Sequence, residues 1–137
     1  LGRTVYCGEP PDDFLQAYDV MLAAQEAGRA AAHPGAAARD ANAACRAPIE
    51  EAGLGEHFRH RMGHGIGMDV HERPFLSAED ETRLEAGMTF TDEPSIIVPG
   101  RWSLRIEDII VVAEGGGRKL NGYPAALAAN ASPATSG

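Results

Sequence analysis

Residues 88–112 read MTFTDEPSIIVPGRWSLRIEDIIVV, two β-prone runs about a turn. Met88 to Val98 is the first run and Trp102 to Val112 the second, with Pro99-Gly100-Arg101 supplying the turn of a hairpin. If those three residues form the loop, Val98 faces Trp102 and the numbers of every pair add to 200. Strand alternation then places Thr91, Glu93 and Ser95 on one face, against Ser103, Arg105 and Glu107 of the partner. Phe90, Ile96 and Val98 share the other face with Trp102, Leu104 and Ile106. One face is predicted to be core. The other carries Glu93 directly opposite Glu107, with β-carbons roughly 5 Å apart.

Two carboxylates facing each other across a sheet repel. Solvent can relieve this, as can a proton shared in the manner of an aspartic-protease dyad, or a cation. The residues upstream tilt the choice towards a cation. Three of the five histidines fall within twelve residues, in His60-Arg61-Met62-Gly63-His64-Gly65-Ile66-Gly67 and Val70-His71-Glu72. Glycines at 63, 65 and 67 make a continuous helix improbable, so the segment reads as strand or loop. On a strand His60 and His64 would share a face. Imidazole both binds metals and moves protons near neutral pH.

Rival motifs fail in detail. The glycine spacing is not GxGxxG, and no P-loop lysine follows. His71-Glu72 opens like HExxH, but position 75 is Phe and Pro74 would break the helix that motif needs. No GxSxG elbow is present, and neither cysteine neighbours a histidine.

Further upstream the texture is helical. Arg3-Thr4-Val5-Tyr6-Cys7 reads as the end of a strand, broken by Gly8-Glu9-Pro10-Pro11. Asp12 or Asp13 is expected to cap a helix reaching about Ala32, with Phe14, Tyr18, Met21 and Leu22 on its packing face. Gln25 interrupts that stripe. A second helix is predicted from about Ala37 to Glu51, with Ala41, Ala44, Cys45, Pro48 and Ile49 facing inward and Gly53 as its stop. Downstream, Gly115-Gly116-Gly117 reads as a flexible turn, and residues 125–137 as a frayed tail beyond a domain over 1–124.

The 137 residues suffice for one modest core, and an apolar fraction of 44% is ordinary for a globular chain. A formal charge of −8 argues against nucleic-acid or anionic-membrane partners, which favour basic surfaces. No apolar run is long enough to span a bilayer. Cys7 and Cys45 are expected to be two buried free thiols rather than a disulfide, which favours a reducing, cytoplasmic setting.

Taken together, His60 to Gly67, Val70-His71-Glu72, Glu93-Pro94 and Arg105-Ile106-Glu107-Asp108 resemble the Xaa-Pro aminopeptidase, prolidase and methionine aminopeptidase superfamily, peptidase family M24. Order and spacing agree, and Asp92-Glu93-Pro94 is more similar to the Xaa-Pro enzymes. The resemblance implies an α+β pita-bread fold, here its second half, with a curved antiparallel sheet covered by helices. It implies two divalent ions held by two Asp, one His and two Glu, with His64, Glu93 and Glu107 filling three of the positions. Manganese is the first candidate, followed by cobalt, iron or zinc.

His71 and His60 correspond to the outer histidines that contact substrate, Glu93 to the glutamate that takes a proton, and Arg105 to an arginine that orients it. The two aspartates would precede Arg3-Thr4 and so fall upstream of Leu1, which predicts an incomplete binuclear centre. The implied reaction is attack by a metal-bridging hydroxide on short peptides with proline at the second position; a homodimer is a compatible assembly. Three alternatives stand beside it. They are a relative acting on a small non-peptide substrate, such as an ectoine hydrolase or a sulfoniopropionate lyase, a creatinase-like metal-free enzyme, disfavoured by the two glutamates, and a non-catalytic pita-bread module.

Overall fold

The computed structural model describes residues 1–127; the tail expected over 125–137 lies, from position 128 onward, outside the described residues. Two helices come first, α1 at Asp12–Ala31 and α2 at Ala38–Glu51, then a short 3-10 turn at Gly55–His57. Seven strands follow: β1 Gly63–Gly65, β2 Glu72–Leu76, β3 Thr89–Asp92, β4 Ser95–Val98, β5 Trp102–Arg105, β6 Asp108–Ala113 and β7 Gly116–Lys119. β2-β1-β3-β6-β7 make an antiparallel sheet, and β4-β5 a separate two-stranded ribbon.

The hairpin register is the one its turn dictates. Pairs in β3–β6 run from Thr89↔Val111 to Asp92↔Asp108, and pairs in β4–β5 from Ser95↔Arg105 to Val98↔Trp102. All obey the same sum, yet the two long strands expected at Met88–Val98 and Trp102–Val112 are each cut in two. Pro94 has no N–H to offer a ladder. Glu93 N–H turns instead to the Met62 carbonyl (2.8 Å), while Glu107 exchanges both backbone bonds with Gly2 (2.9 and 3.0 Å). The strands leave one sheet for the other at Glu93 and Glu107, so the facing glutamates of the sequence lie at the break.

The core follows from alternation and helical spacing. Phe14, Tyr18 and Met21 of α1 pack with Ile49 and Cys45 of α2 against Phe90, Ile96, Leu104, Ile106 and Ile110 of the strands. Gln25 is also buried: its amide donates to the Asp92 carbonyl and accepts from Lys119 Nζ, both at 3.3 Å. In α2 the fully buried positions are Ala38, Ala41, Asn42, Cys45 and Ile49, with Ala44 and Pro48 only half-buried. Asn42 earns its place by accepting the Met62 N–H at 2.9 Å.

Several expectations are corrected. Arg3–Cys7 is not a strand: only Gly2 makes a β-bridge, and side chains do the rest. Thr4 Oγ1 exchanges hydrogen bonds with the Arg105 backbone at 2.8 and 2.9 Å, so a side chain and not a ladder ties that segment to β5. Neither Asp12 nor Asp13 caps α1, whose N-cap is Pro11. The Asp13 carboxylate takes the Trp102 indole N–H (3.1 Å) and Arg101 (2.8 Å) instead. Cys7 is exposed; Cys45 is the one buried thiol, and both are free. Gly116 and Gly117 belong to β7 rather than to a turn, paired with Ala113 and Val112 of β6, and a β-carbon on Gly117 would come within 2.4 Å of Ile110 on β6 and 3.1 Å of the Arg29 carbonyl on α1.

Asp80 fastens the loop between β2 and β3. Its carboxylate accepts the N–H groups of Phe75 (2.8 Å) and Thr82 (2.9 Å) and the Thr82 hydroxyl (2.5 Å). Burial pushes this carboxyl up, but the Thr82 and Phe75 hydrogen bonds and the Arg73 charge outweigh it and hold it below its ordinary value. A lowered folded pKa contributes stability above the unfolded value, lost as pH falls through the folded one. Asp80→Ala is expected to cost about 1–3 kcal/mol in urea unfolding at pH 7. The deficit should shrink once pH falls below about 3.9; a deficit constant with pH would contradict the assignment.

Candidate metal centre

β1 places His64 in the middle of the sheet, and β3 delivers Glu93 just beyond its end. His64 Nδ1 lies 2.9 Å from the Gly65 carbonyl, which can only accept, so the proton sits on Nδ1. Nε2 then points at Glu93 Oε1, 2.9 Å away. With Nε2 unprotonated, this imidazole and the carboxylate make a pair that fits a divalent cation by the chemistry of its donors. Glu93 is held from both sides: Thr91 Oγ1 donates to Oε1 (2.9 Å) and Arg105 Nη1 lies 3.2 Å from Oε2. Arg105 is itself aimed by Ser95 Oγ, which accepts its Nε–H at 2.6 Å.

The His71 ring packs on that of His64, with centroids 4.1 Å apart. His60 is exposed and lies before β1, not on it, since the strand is only three residues long. It nevertheless lines the same cavity, of about 540 Å³, as His64, His71, Glu93 and Arg105; Phe75 and Ser77 are further wall residues.

Glu107 is not drawn into this group. Its backbone is fixed by Gly2, and its carboxylate Oε1 lies 3.5 Å from the amine of Leu1. Among the described residues, no three His, Cys, Asp or Glu side chains gather closely enough to hold an ion by themselves. His64 and Glu93 are therefore brought together, whereas Glu107 stands apart from them.

Sequence reasoning passed over three residues here. One is Thr91, buried between His64 and Glu93. Asp92 and Asp108 pair across β3–β6 and are fully buried. Burial pushes the Asp92 carboxyl well above its ordinary value; Lys119 opposes this and Asp108 adds to it. Burial acts upward on Asp108 as well, but Lys119, Asn121 and Arg3 hold it below its ordinary value. Arg3 Nη2 lies 2.6 Å from Asp108 Oδ1, Lys119 Nζ 2.8 Å from Oδ2, and Asn121 donates at 2.5 Å. The signal was available: alternation puts Asp92 on the face of Phe90, where a carboxylate needs partners or a proton.

Among the described residues no helix is long and apolar enough to cross a membrane. The chain is 47% identical over 122 residues to the probable dipeptidase PepE of Mycobacterium tuberculosis, covering 89% of this chain and 32% of that protein. It is 39% identical over 120 residues to the Xaa-Pro dipeptidase of Pyrococcus furiosus, covering 88% and 34%. The solved prolidase of Pyrococcus horikoshii superposes with a TM-score of 0.88 at 38% identity, over 92% of this chain and 36% of that one. The chain thus spans about a third of the length of the relatives it matches, and its α+β architecture is that of the pita-bread enzymes. The pattern that defines the metallopeptidase family M24 matches residues 1–114, and the chain belongs to that family.

Proposed function

We propose that this chain carries half of the active site of an Xaa-Pro-type metallodipeptidase, with His64 and Glu93 as metal ligands, joined by Glu107 once its carboxylate turns from the Leu1 amine. The observation that supports this most is the 2.9 Å approach of His64 Nε2 to Glu93 Oε1 in a cavity lined by His60, His71 and Arg105. One imidazole among oxygen donors suits manganese, cobalt or iron and admits zinc, and manganese is the first to be tried. Two divalent ions, when bound, supply a more acidic water and a polarised scissile carbonyl.

The chain's own residues do the rest. Glu93 takes the proton of the attacking water on its carboxylate, steadied by Arg105 on Oε2. His71, packed on His64, donates a hydrogen bond to the charge developing on the carbonyl oxygen, with His60 as a second donor on the same wall. A cavity of about 540 Å³ is of the size that accepts a dipeptide.

The test is hydrolysis of dipeptides with proline in second place by the full-length protein, with manganese and after chelation. Cleavage that manganese restores supports the reading. Manganese binding without cleavage would favour a non-catalytic pita-bread module. His71→Ala is expected to lower kcat by about a hundredfold or more while manganese affinity stays unchanged; loss of the metal in that variant would place His71 among the ligands instead.

A further inference from the structure

The Thr91 side chain is 1% exposed and lies between the two donors that meet in the cavity wall. Its Oγ1 accepts the His64 backbone N–H at 3.0 Å and donates its single proton to Glu93 Oε1 at 2.9 Å; the His64 carbonyl, at 3.4 Å, is the weaker alternative. One hydroxyl therefore joins the backbone of the histidine to the carboxylate of the glutamate. β1 and β3 share one paired position, Gly65↔Phe90, so at His64 this side chain stands in for a ladder bond.

We propose that Thr91 is a positioning residue of this site, whose hydroxyl locks His64 and Glu93 in register with each other and leaves the His64 lone pair facing the carboxylate. The proposal rests on the metal-centre reading and adds a residue to it. By occupying one lone pair of Oε1, the Thr91 proton restricts how the carboxylate can turn, while Arg105 restrains Oε2. Partners of this kind typically change metal affinity by about 10–100-fold when removed.

A purely structural role would look different, and the same strand contains the control. Thr89 Oγ1 donates to the Ile66 carbonyl at 2.5 Å, again fastening β3 to the β1 segment, and among the described residues this hydroxyl bonds backbone and no side chain. If a threonine hydroxyl on β3 matters only for the fold, Thr89→Val and Thr91→Val should act alike.

The experiment is a manganese titration of the full-length protein by calorimetry, with thermal unfolding of every variant alongside. Thr91→Val keeps the branched shape and removes both hydrogen bonds; Thr91→Ala removes them without that shape; Thr91→Ser keeps them. Affinity should fall by about tenfold or more in the Val and Ala variants, and the Ser and Thr89→Val variants should bind as the unaltered chain does. Should Thr91→Val fail to fold, the Ala and Ser variants make the same comparison. Binding unchanged in the hydroxyl-free variants, equal loss in Thr91→Ser, or equal loss in Thr89→Val would each overturn the role. An unaltered full-length protein that takes up no manganese would instead defeat the metal-centre reading, and this proposal with it.

Discussion

Glu93→Gln is expected to lower manganese affinity by at least about a hundredfold, the upper end of what loss of even an outer partner does, and to abolish Xaa-Pro hydrolysis by the full-length protein. The substitution preserves size and removes the charge. It does so where His64 Nε2 and the Thr91 hydroxyl reach Oε1 at 2.9 Å and Arg105 reaches Oε2 at 3.2 Å. An amide offers a metal ion one neutral oxygen at most and gives the Arg105 cation no counter-charge. Arg105 keeps its bond to Ser95 Oγ, so the fold should survive and the melting temperature move little. The same loss of hydrolysis is expected of Glu107→Gln. Near-full activity in either variant would remove that glutamate from the metal site.

Gly63→Ala should act on the scaffold rather than on the chemistry. A β-carbon there would come within 1.6 Å of the Thr91 carbonyl oxygen and 2.6 Å of its carbonyl carbon. Both are backbone atoms of β3, so no rotamer change relieves the clash, and β1 has to leave β3. Gly63 pairs with Leu76, and Met62 N–H bonds the Leu76 carbonyl, so the displacement would carry β2 along. Overpacking of a rigid site costs about 3 kcal/mol or more, a large share of the total for a domain of this size. Urea unfolding measures it. A change smaller than about 0.5 kcal/mol would mean that the strands are not packed this closely.

The contrast between these two sites shows what the sequence could disclose. The turn Pro99-Gly100-Arg101 determines the hairpin register, so the pairs on either side of the break, Asp92 with Asp108 and Ser95 with Arg105, could be worked out from residue numbers alone. The break in both strands could not, because it depends on Met62 and Gly2, which lie far from the hairpin in sequence and capture the Glu93 and Glu107 backbones. Thr91 was placed on the face of Glu93 by alternation, but its bond to His64 needs the β1–β3 pairing, which no local pattern announces. Asp13 shows a local rule losing to a tertiary one: a helix-start acid, favoured as a cap, serves Trp102 and Arg101 instead. Gly116 and Gly117 were read as flexible although their real constraint is the nearness of α1. His64, Glu93, His71 and Arg105 line one cavity because three short motifs, each on a different stretch of chain, end where the five-stranded sheet meets the β4–β5 ribbon.

The central claim is that His64 and Glu93 hold a divalent cation, and it can be tested by locating the ion. Crystals grown with manganese, measured at a wavelength where the metal scatters anomalously, should show a peak within bonding distance of His64 Nε2 and the Glu93 carboxylate. The Glu107 carboxylate should be turned towards the same centre. A saturating manganese concentration that leaves His64 and Glu93 in direct contact, with no peak between them, would contradict the account.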